Sequence, residues 1–112
     1  MTRRDRVVTR LRDALAARDS GAVEAVLAQR VSARSDDARP VMGAADVAAA
    51  LVAQSATSLA VQSVNGETAI VARAGTDVVA VYCLTVRRNL IVDVFISREP
   101  PRLVHFNRVT DA

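Results

Sequence analysis

Lysine and tryptophan are absent from this 112-residue chain, and cysteine and histidine occur once each, as Cys83 and His105. A single cysteine excludes an internal disulfide and with it the stapled secreted scaffolds. One cysteine and one histidine cannot supply a metal site of the usual kind, so neither metal nor other cofactor is expected. Aromatic residues number three, Tyr82, Phe95 and Phe106, so the core must be built from Val, Leu, Ile and Ala. No apolar run approaches the ~18–20 residues that cross a bilayer. No apolar block follows the charged N-terminus, which excludes a signal peptide of ordinary form. The expectation is a soluble, cytoplasmic protein with no membrane partner.

All of the cationic side chains are Arg, beside abundant Ala and Val. Both Lys and Arg contact phosphate, so nucleic-acid binding would not exclude Lys. The bias reads instead as a GC-rich, bacterial coding background. Arg3, Arg4, Arg6, Arg10, Arg12 and Arg18 crowd the first helix, but Asp5, Asp13 and Asp19 interleave with them. That mixture describes a solvated helix face, and nucleic acid is not the expected partner.

What is present is strong periodicity. Residues 3–18 form an amphipathic helix with Val7, Val8, Leu11, Ala14 and Leu15 on one face. Asp19-Ser20-Gly21 breaks it, and Asp19 or Ser20 caps a second helix from Ala22 to Gln29. Val31 to Ser35 is a short strand, and Asp36 to Pro40 a loop. After Gly43 a third helix runs from about Ala45 to Ser55, with Asp46 favourably placed in its first turn. Beyond residue 57 the chain is strand-forming. Leu59–Val64 and Glu67–Ala74 flank Asn65-Gly66, a two-residue hairpin signal that sets Val64 against Glu67 and Val61 against Ile70. Asp77–Arg87 and Leu90–Ser97 flank a turn at Arg88-Asn89. Pro100-Pro101 ends the last strand, and a tail at Leu103-Val104-His105-Phe106 can pack back. Helices followed by a meander of antiparallel strands is an α+β pattern.

The strand Asp77–Arg87 is apolar on both sides: Val79, Val81, Cys83 and Thr85 alternate with Val78, Ala80, Tyr82, Leu84 and Val86. Helices can cover one side. Leaving the other wet would forgo about 1.5–3 kcal/mol per large side chain, so the expectation there is a cavity interior or a second subunit. Cys83 in such a strand reads as a small core residue. Asp93 lies inside Leu90-Ile91-Val92-Asp93-Val94-Phe95-Ile96 and must either act as a cavity acid or base, or reach solvent or an Arg. Tyr82 and Phe95 are the aromatic residues placed to line a cavity with it, or else are plain core.

The order of elements and three short motifs resemble the SnoaL-like branch of the nuclear transport factor 2-like superfamily, and in particular the C-terminal domain of some extracytoplasmic-function sigma factors. The motifs are Val64-Asn65-Gly66-Glu67-Thr68-Ala69-Ile70-Val71, Pro40-Val41-Met42-Gly43 followed by Val47, and Glu99-Pro100-Pro101-Arg102-Leu103. Thr68, Glu99 and Arg102 depart from the family's proline, asparagine and lysine. The resemblance implies a conical α+β fold, three N-terminal helices on a curved antiparallel sheet, with a cavity between them and frequent dimerisation. Met1 leads straight into the first helix, so residues 1–112 are expected to form one SnoaL-like domain without promoter-binding domains. Ketosteroid-isomerase-like chemistry needs a phenol, a protonated acid and a carboxylate base, and the only tyrosine here is Tyr82. An epoxide-hydrolase-like site would draw on Asp93 and Arg73 but lacks a second inward Asp, and a cyclase-like site would use Asp93 or His105.

These readings lead to a non-catalytic domain that binds a small hydrophobic ligand or a protein partner as a homodimer through the sheet. The residues assigned to ligand binding are Tyr82, Asp93 and Phe95. The alternatives are a cofactor-free isomerase, cyclase or hydrolase using Asp93 in the cavity, and a regulator docking on transcription machinery.

Overall fold

Thr2 starts the first helix by a reciprocal cap: its hydroxyl accepts from the Asp5 N–H at 3.1 Å, and the Asp5 carboxylate accepts from the Thr2 N–H at 3.3 Å. This is a capping box with Asp in the place of Glu. The computed structural model describes residues 2–36, 38–53, 58–64 and 66–98. Helix α1 (Arg3–Ala16) buries the expected stripe, Val7, Val8, Leu11, Ala14 and Leu15. Asp19 then caps α2 (Ser20–Ala25) by accepting from the Ala22 N–H at 3.1 Å.

Helix α2 stops short of the expected Gln29. Its place is taken by β1 (Leu27–Ser35), which pairs in parallel with the last strand. The Ile91 N–H reaches the Val26 carbonyl at 2.9 Å. A parallel partner from the far end of the chain outcompetes local helix propensity, which is only a weak prior. A short β2 (Val41–Met42) was also unforeseen; it pairs with Ser32 and Ala33. Gly43 follows at φ +94, donates to the Val31 carbonyl at 2.8 Å and caps α3 (Ala44–Val52). That left-handed backbone is why glycine stands there.

The remaining strands fall within a residue of expectation: β3 (Ser58–Val64), β4 (Glu67–Ala74), β5 (Asp77–Arg87) and β6 (Leu90–Ser97). Both Arg88 and Asn89 have positive φ, as a tight two-residue hairpin requires. The sheet has six strands in the order β2-β1-β6-β5-β4-β3. The expected all-antiparallel sheet is corrected to a mixed one, because β1 and β6 run parallel. The third helix also follows two strands, so the three helices are not consecutive.

The helices pack on one face. Val8, Leu11, Val23, Val31, Val47, Ile70, Ile91 and Val94, all at most 1% exposed, form the heart of the core between helices and sheet. On the opposite face Ala69, Val71, Val78 and Val81 form a second buried cluster. Register shifts at Ala72/Arg73 and Thr85/Val86 change which side chains share a face. Val79 therefore joins the helix side and Val78 the other, reversing the simple alternation.

Candidate functional site

Cross-strand pairing decides where each candidate residue points. Opposed residues share a face, so Tyr82, set against Ile70 and Ile96, lies on the helix side. Asp93 is set against Thr85 and Ser32, and Phe95 against Cys83 and Arg34; these lie on the opposite face. Tyr82 therefore does not share a site with Asp93 and Phe95. The expected grouping of the three around one cavity is corrected, because side chains one residue out of phase in a pleated strand project to opposite faces.

Asp93 is half-buried and well partnered. Its carboxylate accepts from the Ser32 hydroxyl at 2.7 Å and from Arg34 Nη2 at 3.0 Å. Arg34 in turn lies 5.8 Å from the centre of the Phe95 ring, within cation–π range. The alternative in which Asp93 reaches an Arg is the one observed. The sequence carried a signal for its partners: Val31-Ser32-Ala33-Arg34 alternates apolar and polar, which puts Ser32 and Arg34 on one face of β1. The pairing of β1 with β6 was needed to bring that face to Asp93.

Tyr82 is 3% exposed among aliphatic neighbours. Burial pushes its phenol up from the ordinary value, against a smaller opposing pull from Arg98. No polar or charged residue is fully buried among the described residues apart from this phenol. The fully buried core on the helix side thus holds no carboxylate among the described residues. Cys83 is exposed on the far face. Partial burial of its thiol pushes it up, Glu67 adds to the shift and Arg4 opposes it. Arg73 lies at the far end of β4, opposed to Ser58 and Val78. His105, the motif Glu99–Leu103 and the tail lie outside the described residues. Among the described residues no group of three or more His, Cys, Asp or Glu is arranged to hold a metal.

A second polar constellation joins α1 to the sheet. The β4–β5 ladder ends at Ala69 and Cys83, and Arg4 Nη2 bridges the next two carbonyls, donating to Leu84 at 2.7 Å and Thr68 at 3.3 Å. The Thr68 hydroxyl donates to Asp5 at 2.5 Å. That bond, followed by those with Thr2, holds the Asp5 carboxyl below its usual range. Beside it a cleft of about 280 Å³ is lined by Asp5, Thr9, Val61, Gln62, Ser63 and Thr68. A larger groove of about 390 Å³ separates α1 from α2, with Arg10, Asp13 and Asp19 around an alanine floor.

No protein-family model matches the sequence, and no curated protein matches it. Solved structures do. An NTF-2 like protein of unknown function from Burkholderia xenovorans LB400 matches at TM-score 0.67 and 14% identity, over 87% of this chain and 84% of its own. A steroid delta-isomerase from Pseudomonas aeruginosa matches at TM-score 0.65 and 18% identity, over 98% and 89%. The extracytoplasmic function sigma factor SigJ of Mycobacterium tuberculosis matches at TM-score 0.66 and 20% identity, over 93% of this chain but 45% of its own. Neighbours so distant in sequence share a fold, and the fold of this chain is that of the nuclear transport factor 2-like proteins.

Proposed function

We propose that residues 1–112 act as one non-catalytic binding domain, a cytoplasmic homodimer that holds a small hydrophobic molecule or a protein partner. The observation that carries this reading is the chemistry of the helix side. Its buried core is aliphatic apart from the Tyr82 phenol, while the carboxylate of Asp93 lies on the other face, ion-paired with Arg34 and hydrogen-bonded by the Ser32 hydroxyl. Acid–base catalysis needs a proton acceptor within about 3 Å of the reacting atom, and an aliphatic lining selects apolar ligands instead. Tyr82 is the residue of this core that would orient a ligand admitted between helices and sheet through its hydroxyl, and Asp93 and Phe95 would serve the partner-binding face.

Tyr82 is the only tyrosine and tryptophan is absent, so intrinsic fluorescence reports on the helix side alone. Titration with a medium-chain fatty acid and with a planar polycyclic ketone should change Tyr82 emission and raise Tm, equally in the native chain and in Asp93→Asn. Turnover of an apolar ketone or epoxide that disappears in Asp93→Asn would overturn the non-catalytic reading.

A further inference from the structure

Strand β3 is the outer strand at one end of the sheet, and within Ser58–Val64 it carries no bulge, charge or proline to protect that edge. Natural edges are shortened, bulged, or given Lys or Pro. The opposite edge strand, β2, is two residues long. By contrast β3 runs seven residues, Ser58-Leu59-Ala60-Val61-Gln62-Ser63-Val64, without charge or proline. Its pairing with β4 has no register shift, whereas the β1–β6, β4–β5 and β5–β6 ladders each have one.

The hairpin fixes which backbone groups face outward. Val64 and Glu67 close a two-residue loop, so they form a hydrogen-bonded pair and the pattern alternates from there. Gln62 and Ala60 spend their N–H and C=O on β4. Leu59, Val61 and Ser63 direct theirs away from the sheet, and among the described residues none of these groups accepts or donates a bond. The 280 Å³ cleft lined by Val61, Gln62 and Ser63 opens beside this edge.

We infer that β3 is a self-association edge, on which the β3 of a second copy adds in antiparallel orientation to continue the sheet. This deepens the homodimer reading above, on which it rests, by naming the surface. Three features select a second copy as the occupant. A two-fold axis at Val61 sets Ser58 against Val64 and so overlaps the whole strand. Leu59, Val61 and Ser63 then exchange both bonds with Ser63, Val61 and Leu59 of the second copy, and no charge meets its like. Finally, the other edge of a second copy is the two-residue β2, too short to accept β3, so head-to-tail growth is blocked and a closed isologous pair is the outcome.

Sedimentation equilibrium and amide hydrogen exchange on the full chain test this. The native chain should dimerise, with protection of the Leu59, Val61 and Ser63 amides that rises with protein concentration, while Ala60 and Gln62 stay protected throughout. Ser63→Pro removes an outward N–H that β4 does not use, and Gln62→Lys adds an edge charge at an exposed position; each should weaken association at least about tenfold. Far-UV circular dichroism checks that both variants fold. A dimer that persists in both variants yet dissociates in Phe95→Glu would overturn the edge assignment and leave the homodimer reading standing on the helix-free face. A native chain that stays monomeric up to about 1 mM, a Kd weaker than ~4 kcal/mol of binding, would overturn both.

Discussion

Replacing Asp93 and Arg34 by Ala, singly and together, tests the placement on which the functional reading depends. At 3.0 Å, two unit charges attract by about 1.4 kcal/mol in a water-like medium and about 5.5 kcal/mol at an effective dielectric of 20. Side-chain exposure decides between these limits: 55% for Arg34 and 25% for Asp93. With that much solvent around the guanidinium, screening and the entropy of fixing a long side chain leave a coupling of about 0.5–1 kcal/mol. Asp93→Ala also strands the Ser32 hydroxyl, adding about 1 kcal/mol. Unfolding entropy near 2.1 cal/mol/K per residue over 112 residues is roughly 0.24 kcal/mol/K, so 1 kcal/mol moves Tm by about 4 °C. Asp93→Ala should therefore lower Tm by about 6–8 °C, Arg34→Ala by about 2–4 °C, and the double variant by less than their sum. The assay is a double-mutant cycle from urea denaturation. A coupling above about 3 kcal/mol would mean a pair sealed in a low-dielectric cavity, and the assignment of Asp93 to the partly wet face would be refuted.

Acid stability should depend on Asp5. Its folded pKa is lowered, chiefly by the Thr68 hydroxyl, so its stabilisation is present above the unfolded value of ~3.9 and is lost as pH falls through the lower folded value. Thr68→Val should flatten the Tm-versus-pH curve below about pH 4, and an unchanged curve would contradict this role. Because its thiol is pushed up, Cys83 should be alkylated by iodoacetamide at neutral pH more slowly than a free cysteine despite its exposure, and equally fast once the chain is unfolded in urea. Arg88 sits at φ +51 in the β5–β6 turn; Arg88→Asn should stabilise by about 0.5–1 kcal/mol in urea melts, since Asn tolerates the left-handed region, and a loss of stability would show that the Arg side chain has a partner there.

Local chemistry made much of the architecture legible. The stripe of Val7, Val8, Leu11, Ala14 and Leu15 marks the buried face of α1, and Asn65-Gly66 sets the β3–β4 register down to Val64 against Glu67. These features are written over a few neighbouring residues, where helical and strand periods differ plainly. The position of Asp93 was legible only as a choice. A carboxylate amid apolar residues must be neutralised or wet, and the sequence holds no clue as to which until its neighbours are known.

Composition and periodicity by themselves determined an α+β chain with an aliphatic core, no internal disulfide, and the positions of most helices and hairpins, because these depend on cysteine count, short-range sterics and burial. Tertiary structure alone decided that β1 joins β6 in parallel, that bulges send Val78 and Val79 to unexpected faces, and that Tyr82 and Asp93 look in opposite directions. Pairing residues some sixty positions apart is a competition between alternative partners, and one residue of slip inverts every side chain of a strand. No local pattern contains that choice, and the chemistry of each face follows from it.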